Sequence, residues 1–316
     1  MPHSLHRTER TLPVSIRPAP TIPLVTLFLD RRSDSTRRAY SADLSDFATF
    51  LGVPDQQSAL ACMVQLKAGQ ANSLALQYRQ SLIAAGKSPA TINRRLATLR
   101  SASKLARTIG AINWTLEIEN EPAHSYRDTS GPGLYGIRRM LKAAAAHDNP
   151  AKAARDTAIL RLLFDLALRR KELVGLELSD LSLAERRIAV VGKGSRESLT
   201  LSLPEPTATA ISTWLAFRGT DPGPLFVNFD HAAKGCRLTG AAIFYIVRTL
   251  GRISGVTARP HGIRHTAITH ALDRTGGNVR SVQRFSRHAN LQTLTIYDDN
   301  RRNVAGQIAE LVAGSV

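Results

Sequence analysis

At 316 residues the chain exceeds what one core usually organises, so two domains are expected. Its 42 Lys and Arg against 25 Asp and Glu leave a net charge of +17, which calls for a polyanionic partner such as DNA, RNA or an anionic membrane surface. No apolar run approaches ~18 residues, and Leu24 to Leu29 is too short for a span or a signal core, which argues against a membrane protein. Cys62 and Cys236 stand far apart with no second Cys at motif spacing, which argues against a disulfide scaffold or a Cys-rich zinc site and fits a reducing cytoplasm.

Residues 1–22 carry Pro13, Pro18 and Pro20 with scattered Arg and no apolar period; they read as a flexible basic arm or a plain disordered tail. Residues 23–115 read as a helical domain. Ser35 is a candidate N-cap, with Tyr40, Leu44, Phe47 and Leu51 following at helical spacing. A second helix is expected over Ser73 to Ala85, stopped by Gly86, and a third from Pro89 to Ile109, stopped by Gly110. Residues 35–110 hold ten Lys or Arg and three Asp or Glu, a local charge of +7 by subtraction. Arg37, Arg38, Arg94, Arg95, Arg100 and Lys104 are the candidate DNA contacts, cations that would displace condensed counterions. A solvated basic helix face is the other reading of the same residues.

Residues 116–132 are polar and without period, with Pro122, Gly131 and Pro132, and read as a linker. From 133 to 316 a second domain is expected. Helical patterns cover Leu134 to Ala146 and Ala151 to Leu168. The period then changes: Ile188 to Val191 and Leu199 to Leu203, on either side of Gly192-Lys193-Gly194-Ser195, predict a β-hairpin. Helical patterns return at Thr207 to Phe217, Gly240 to Ile253, Pro260 to Asp273, Val279 to Phe285 and Asn303 to Val312. The fold class is mainly α with a small antiparallel β-sheet in the C-terminal domain.

Six residues of this domain carry the candidate chemistry: Arg169, Lys193, His261, Arg264, His288 and Tyr297. Singly, each has an ordinary reading. Arg169 could be a cation at a helix C-terminus, and Lys193 an exposed turn lysine. His261, Arg264 and His265 are more informative, because spacings i, i+3 and i+4 put them on one helix face. A zinc-protease site fails, since Gly262 stands where Glu is needed and Arg264 would repel a cation. A phosphate suits the pair better, because Arg offers a planar fork of donors to two oxygens. VGKGS is not a P-loop: Arg187 occupies the first Gly position and Gly194 the Ser/Thr position.

The runs ALRRKEL, VGKGSRESLTL, HGIRHTAITHAL and RHANLQTLTIY resemble, in order and spacing, the signature boxes of tyrosine recombinases, the phage integrases. STRRAYSADLSDFATFL with TINRRLATLRS resembles that family's core-binding domain, so the likeness covers nearly all of residues 30–310. It implies that Arg169 and Arg264 hold the scissile phosphate, Lys193 donates a proton, His261 and His288 contact phosphate and handle protons, and Tyr297 is the nucleophile. Glu172 would be the supporting carboxylate, and His265 is usually outside the catalytic set. Two positions depart from the pattern: Ala167 and Arg287 stand where glycine is usual. An arginine pair stabilises phosphate charge as Mg²⁺ does elsewhere, so neither metal nor cofactor is implied.

The implied partner is double-stranded DNA with a specific recombination site, bound by a tetramer in the cytoplasm. The helix carrying Val304, Ile308, Leu311 and Val312 would dock on a neighbouring protomer; capping its own core is the alternative. Only about thirty residues precede the core-binding region, which suggests a simpler recombinase than those with an added arm-binding domain. Integration, excision and resolution of DNA elements all fit. Two rivals remain: a type IB topoisomerase of the same chemistry, and a DNA-binding regulator with a decayed site.

Overall fold

A computed structural model describes residues 24–30, 32–122, 131–192, 197–229, 233–291, 294 and 304–315. The chain divides into two compact units, Met1–Ser125 and Tyr126–Val316. Among the described residues, the regular elements of the first are helices: α1 Leu24–Asp30, α2 Asp34–Leu51, α3 Gln56–Val64, α4 Ala68–Ala84 and α5 Pro89–Thr108. Two of these helices had no sequence signal. α1 is the short apolar run at Leu24, and it buries Leu24 and Phe28, one turn apart, with the Phe28 ring stacked on Tyr40 at 5.3 Å. α3 is started by Asp55, whose carboxylate accepts from the Ser58 N–H at 2.7 Å. α2 stops at Gly52, which takes the left-handed conformation (φ 70°) at no steric cost.

The core of this unit joins Leu44, Phe47, Leu60, Met63, Tyr78, Leu96 and Leu99. Residues after 115, read from the sequence as linker, instead remain fixed to the unit as far as Glu121. Ile118 is buried, Arg100 donates to its carbonyl at 2.6 Å, and Asn93 exchanges two hydrogen bonds with the Glu121 backbone at 2.9 and 2.6 Å. Alternation too short to register as a strand hid this return path.

The second unit holds α6 Gly133–Ala145, α7 Pro150–Asp165, α8 Arg170–Gly175, strands β1 Leu181–Ser182, β2 Arg187–Val191 and β3 Ser198–Ser202, then α9 Glu205–Arg218, α10 Gly240–Ile253, α11 Pro260–Arg274, α12 Val279–Ser286 and α13 Val304–Ala313. The mainly helical class with a small antiparallel sheet is thus what the chain adopts. The sheet runs β1-β2-β3, with Ile188 opposite Leu201 and Val190 opposite Leu199. Ile188 and Val190 are the buried, alternate residues of β2 and seat the sheet on the helices. Asn149 caps α7 by accepting from the Lys152 N–H at 3.0 Å, and Pro150 follows at its first turn. The main core gathers Ile159, Leu162, Leu163, Ile211, Trp214, Val247 and Ile263. Trp214 is fully buried and satisfies its indole N–H on the Leu225 carbonyl at 2.8 Å. A smaller cluster of Ala167, Ala267, Ile268, Leu272, Val282 and Leu294 joins α11, α12 and the turn after α7.

Candidate active site

The apolar pattern of α7 continues to Leu168, but the helix ends at Asp165 because Ala167 adopts φ 46°. A left-handed alanine costs ~1–2 kcal/mol, so the surrounding contacts must hold it there. The turn makes Arg169 the N-cap of α8 and puts Glu172 at its third position. Glu172 accepts from the Arg169 backbone N–H at 2.9 Å and from Arg169 Nη1 at 2.6 Å. Arg169 Nη2 donates to the Arg287 carbonyl at 2.7 Å.

Arg264 comes from α11 and is 1% exposed. Its Nη1 donates to the Ala167 carbonyl and its Nη2 to the Ser286 carbonyl, so one guanidinium fastens α11 to the α7–α8 turn and to the end of α12. Nη2 also lies 3.4 Å from His288 Nε2, and Ser286 Oγ lies 2.8 Å from His288 Nδ1. A guanidinium only donates, which assigns Nε2 as acceptor and Nδ1 as the protonated nitrogen, donating to Ser286. Gln283 Nε2 donates to the His288 carbonyl at 3.0 Å and steadies the turn. His261, near the start of α11, is exposed, and its ring meets the buried His265 edge-on at 4.2 Å.

Charge follows this geometry. Burial alone would raise the Glu172 carboxyl, but the Arg169 N–H and the Arg287 and Arg169 guanidiniums outweigh it and hold the group below the ordinary carboxylate range. Burial, with Arg264, Arg169, His261 and Arg287 around it, pushes His288 down to about 4. Burial, reinforced by His261, Arg259, Arg264 and His288, brings His265 down to about 4 as well. At neutral pH the cluster therefore presents three guanidiniums, one compensated carboxylate and the neutral imidazoles of His288 and His265. That set can hold an oxyanion and accept a proton.

Of the residues expected from sequence, Arg169, Glu172, Arg264 and His288 are brought into one network, with His261 and His265 beside it on α11. Lys193 and Tyr297 lie outside the described residues. Ser286 and Arg287 were missed, although each is within two positions of His288; Arg287 had shown only as a departure from glycine. Of the candidate DNA contacts, Arg37, Arg38, Arg94 and Lys104 are exposed. Three of the candidates also make contacts within their own unit: Arg94 pairs with Asp43 at 2.5 Å, Arg95 with Asp46 at 2.7 Å, and Arg100 with Asn120 at 2.7 Å. Asp43 is buried and needs a cation there, which a helix-face reading could not reveal. Among the described residues, no group of three or more His, Cys, Asp or Glu side chains could hold a metal ion, and no helix is long and apolar enough to cross a membrane.

A mainly helical protein with paired arginines, a compensated carboxylate and neutral imidazoles carries the groups that can hold an oxyanion. The chain belongs to the phage integrase family, whose model matches residues 136–303. It is 40% identical over 298 residues to the tyrosine recombinase slr0733 of Synechocystis, covering 92% of this chain and 94% of that one. It is 39% identical over 297 residues to the tyrosine recombinase Synpcc7942_B2651 of Synechococcus elongatus, covering 92% of each. Its fold is similar to that of a lambda integrase dimer bound to a COC′ core site, with a TM-score of 0.62 at 14% identity over 87% of this chain and 77% of that one.

Proposed function

We propose that this site-specific DNA recombinase cuts and rejoins strands through Tyr297. The tyrosyl oxygen bonds to the scissile phosphorus as the bond to the 5′ oxygen breaks, leaving a 3′-phosphotyrosyl link and a 5′-hydroxyl. Arg169 and Arg264 stabilise the charge growing on the non-bridging oxygens. His261 or a phosphate oxygen takes the tyrosyl proton, His288 contacts the phosphate, and Lys193 protonates the departing 5′ oxygen. The new bond conserves the phosphodiester energy, so attack by another 5′-hydroxyl rejoins DNA without fuel.

The observation that carries this reading is the convergence of Arg169, Arg264 and His288 through the carbonyls of Ala167, Ser286 and Arg287 in a member of this family. Arg37, Arg38 and Lys104 of the helical unit supply backbone contacts to the DNA. The active assembly is a tetramer on its site in the cytoplasm. Leu311 and Val312 of α13 are 73% and 63% exposed, which supports docking of this helix on a neighbour over capping of its own core. Relaxation as a lone protomer is not favoured, since the curated relatives are recombinases.

The test is strand exchange. DNA trapped covalently on the protein is sequenced to define the site, and two duplexes carrying it are mixed, one of them labelled. Exchanged strands from a complex of four protomers are expected. Relaxation of a supercoiled plasmid by monomers, with no exchange, would overturn the proposal.

A further inference from the structure

Arg287 follows the last residue of α12 and adopts φ 56°, a conformation that glycine takes freely and arginine rarely. Nothing in the turn itself calls for a long cationic side chain there. Yet the side chain is only 11% exposed, and both terminal nitrogens of its guanidinium find acceptors in one neighbourhood. Nη1 donates to the carbonyls of Leu166 and Phe285 at 3.1 and 3.0 Å, and Nη2 to the Ala167 carbonyl and Glu172 Oε2, both at 3.1 Å. The backbone of the same residue receives Arg169 Nη2 at 2.7 Å.

Arg287 thus touches the Arg169 system three ways. Its carbonyl takes a donor of the Arg169 fork, its guanidinium takes the second oxygen of the carboxylate that holds the other donor, and it binds the strained Ala167 turn from which Arg169 departs. The left-handed φ is what allows carbonyl and guanidinium to serve one cluster. The two left-handed positions, Ala167 and Arg287, are joined directly by the Nη2 bond to the Ala167 carbonyl. The Arg287 side chain thereby supports the Ala167 backbone.

We infer that Arg287 is a positioning residue for strand cleavage, fixing Arg169 through its own carbonyl and through Glu172. The inference rests on the assignment of Arg169 to the scissile phosphate. It says that a side chain at this turn has taken over part of the alignment of the phosphate-binding fork.

The test compares Arg287→Gly and Arg287→Lys with the unmodified full chain and with Arg169→Ala, on a duplex carrying the trapped site. Glycine keeps the left-handed turn and its carbonyl while deleting the guanidinium, so the backbone is retained. Site binding should be unchanged, and single-turnover formation of the covalent complex should slow by ~10–100-fold, as when an oriented ligand loses its supporting partner. The acid limb of the cleavage rate should also move to higher pH. Glu172 is faced by Arg169 and Arg287, and His288 by Arg264, Arg169, His261 and Arg287, so deleting one cation raises the pKa of both. Lysine restores the charge but cannot span the same acceptors, so the limb should return towards its original position with only partial recovery of rate.

Cleavage by Arg287→Gly at the unmodified rate overturns the inference. So does a slower rate with an unmoved acid limb, which marks a merely structural role. Normal cleavage by Arg169→Ala would instead overturn the underlying assignment. Loss in Arg169→Ala beside normal cleavage in Arg287→Gly removes Arg287 alone.

Discussion

Glu172 is the side chain on which the candidate site's charge balance turns. It is 3% exposed and sits between Arg169 and Arg287, accepting from both guanidiniums and from the Arg169 N–H. Replacing it with Ala leaves two clustered cations and an orphaned backbone donor. Breaking a buried ion pair by deleting one partner costs ~3–5 kcal/mol, and the partial exposure of Arg169, at 27%, places this case near 3. For a unit of this size that corresponds to a fall of about 6–12 °C in the melting temperature of the second unit. Glu172→Gln keeps one acceptor and the side chain's shape, so it should lose about half as much. Calorimetry on the full chain reads the first effect, and single-turnover cleavage at 20 °C, well below melting, reads the second. Cleavage should drop in both variants, since Arg169 loses its orientation. A Glu172→Ala protein melting within about 2 °C of the original would refute the reasoning, because the cations would then be compensated elsewhere.

Lys193 is tested by its leaving group. Lys193→Ala should slow cleavage by ~10²–10⁴-fold, and a bridging 5′ sulfur, which hardly needs a proton, should restore the rate for Lys193→Ala but not for Arg264→Ala. Equal rescue of both would mean that sulfur simply makes the substrate easier to cleave, and no rescue of Lys193→Ala would move the acid elsewhere. The helical unit separates structural from DNA-facing cations. Arg95→Ala, which frees Asp46 and thins the shell of Asp43, should cost about 2 kcal/mol on thermal unfolding without changing the salt slope of DNA binding. Lys104→Ala should leave melting unchanged and reduce that slope by ~0.9. The opposite pattern would return Arg95 to the DNA interface.

The sequence made the long elements legible because their apolar residues recur at one clear period. α2, α5 and α10 each bury a single stripe, and the hairpin β2–β3 shows as a change of period around a glycine-rich tip. The shortest helices, of seven and six residues, escaped because two turns or fewer cannot establish a period. α1 and α8 are of this kind, the first held by burial of Leu24 and Phe28 and the second by the Arg169–Glu172 capping box. At the candidate site, residue types and order were legible while their mutual dependence was not. That Arg169 is held by a carbonyl 118 positions away is decided by tertiary packing, and no local pattern encodes it. The overextension of α7 to Leu168 has the same origin: local propensity favoured helix, and the contacts of Arg264 and Arg287 to Ala167 won. The ion pairs of Arg95 escaped for a related reason, since its acidic partners lie on a different helix.

The central claim is that Tyr297 becomes joined to DNA, and peptide mapping tests it directly. A substrate nicked next to the cleavage position traps the covalent complex, and mass spectrometry of the digested adduct locates the nucleotide on the chain. The account predicts a 3′-phosphotyrosyl link at Tyr297 and no adduct in Tyr297→Phe, which should still bind the site because one hydroxyl contributes little packing. An adduct on any other residue, or one that persists in Tyr297→Phe, would contradict it.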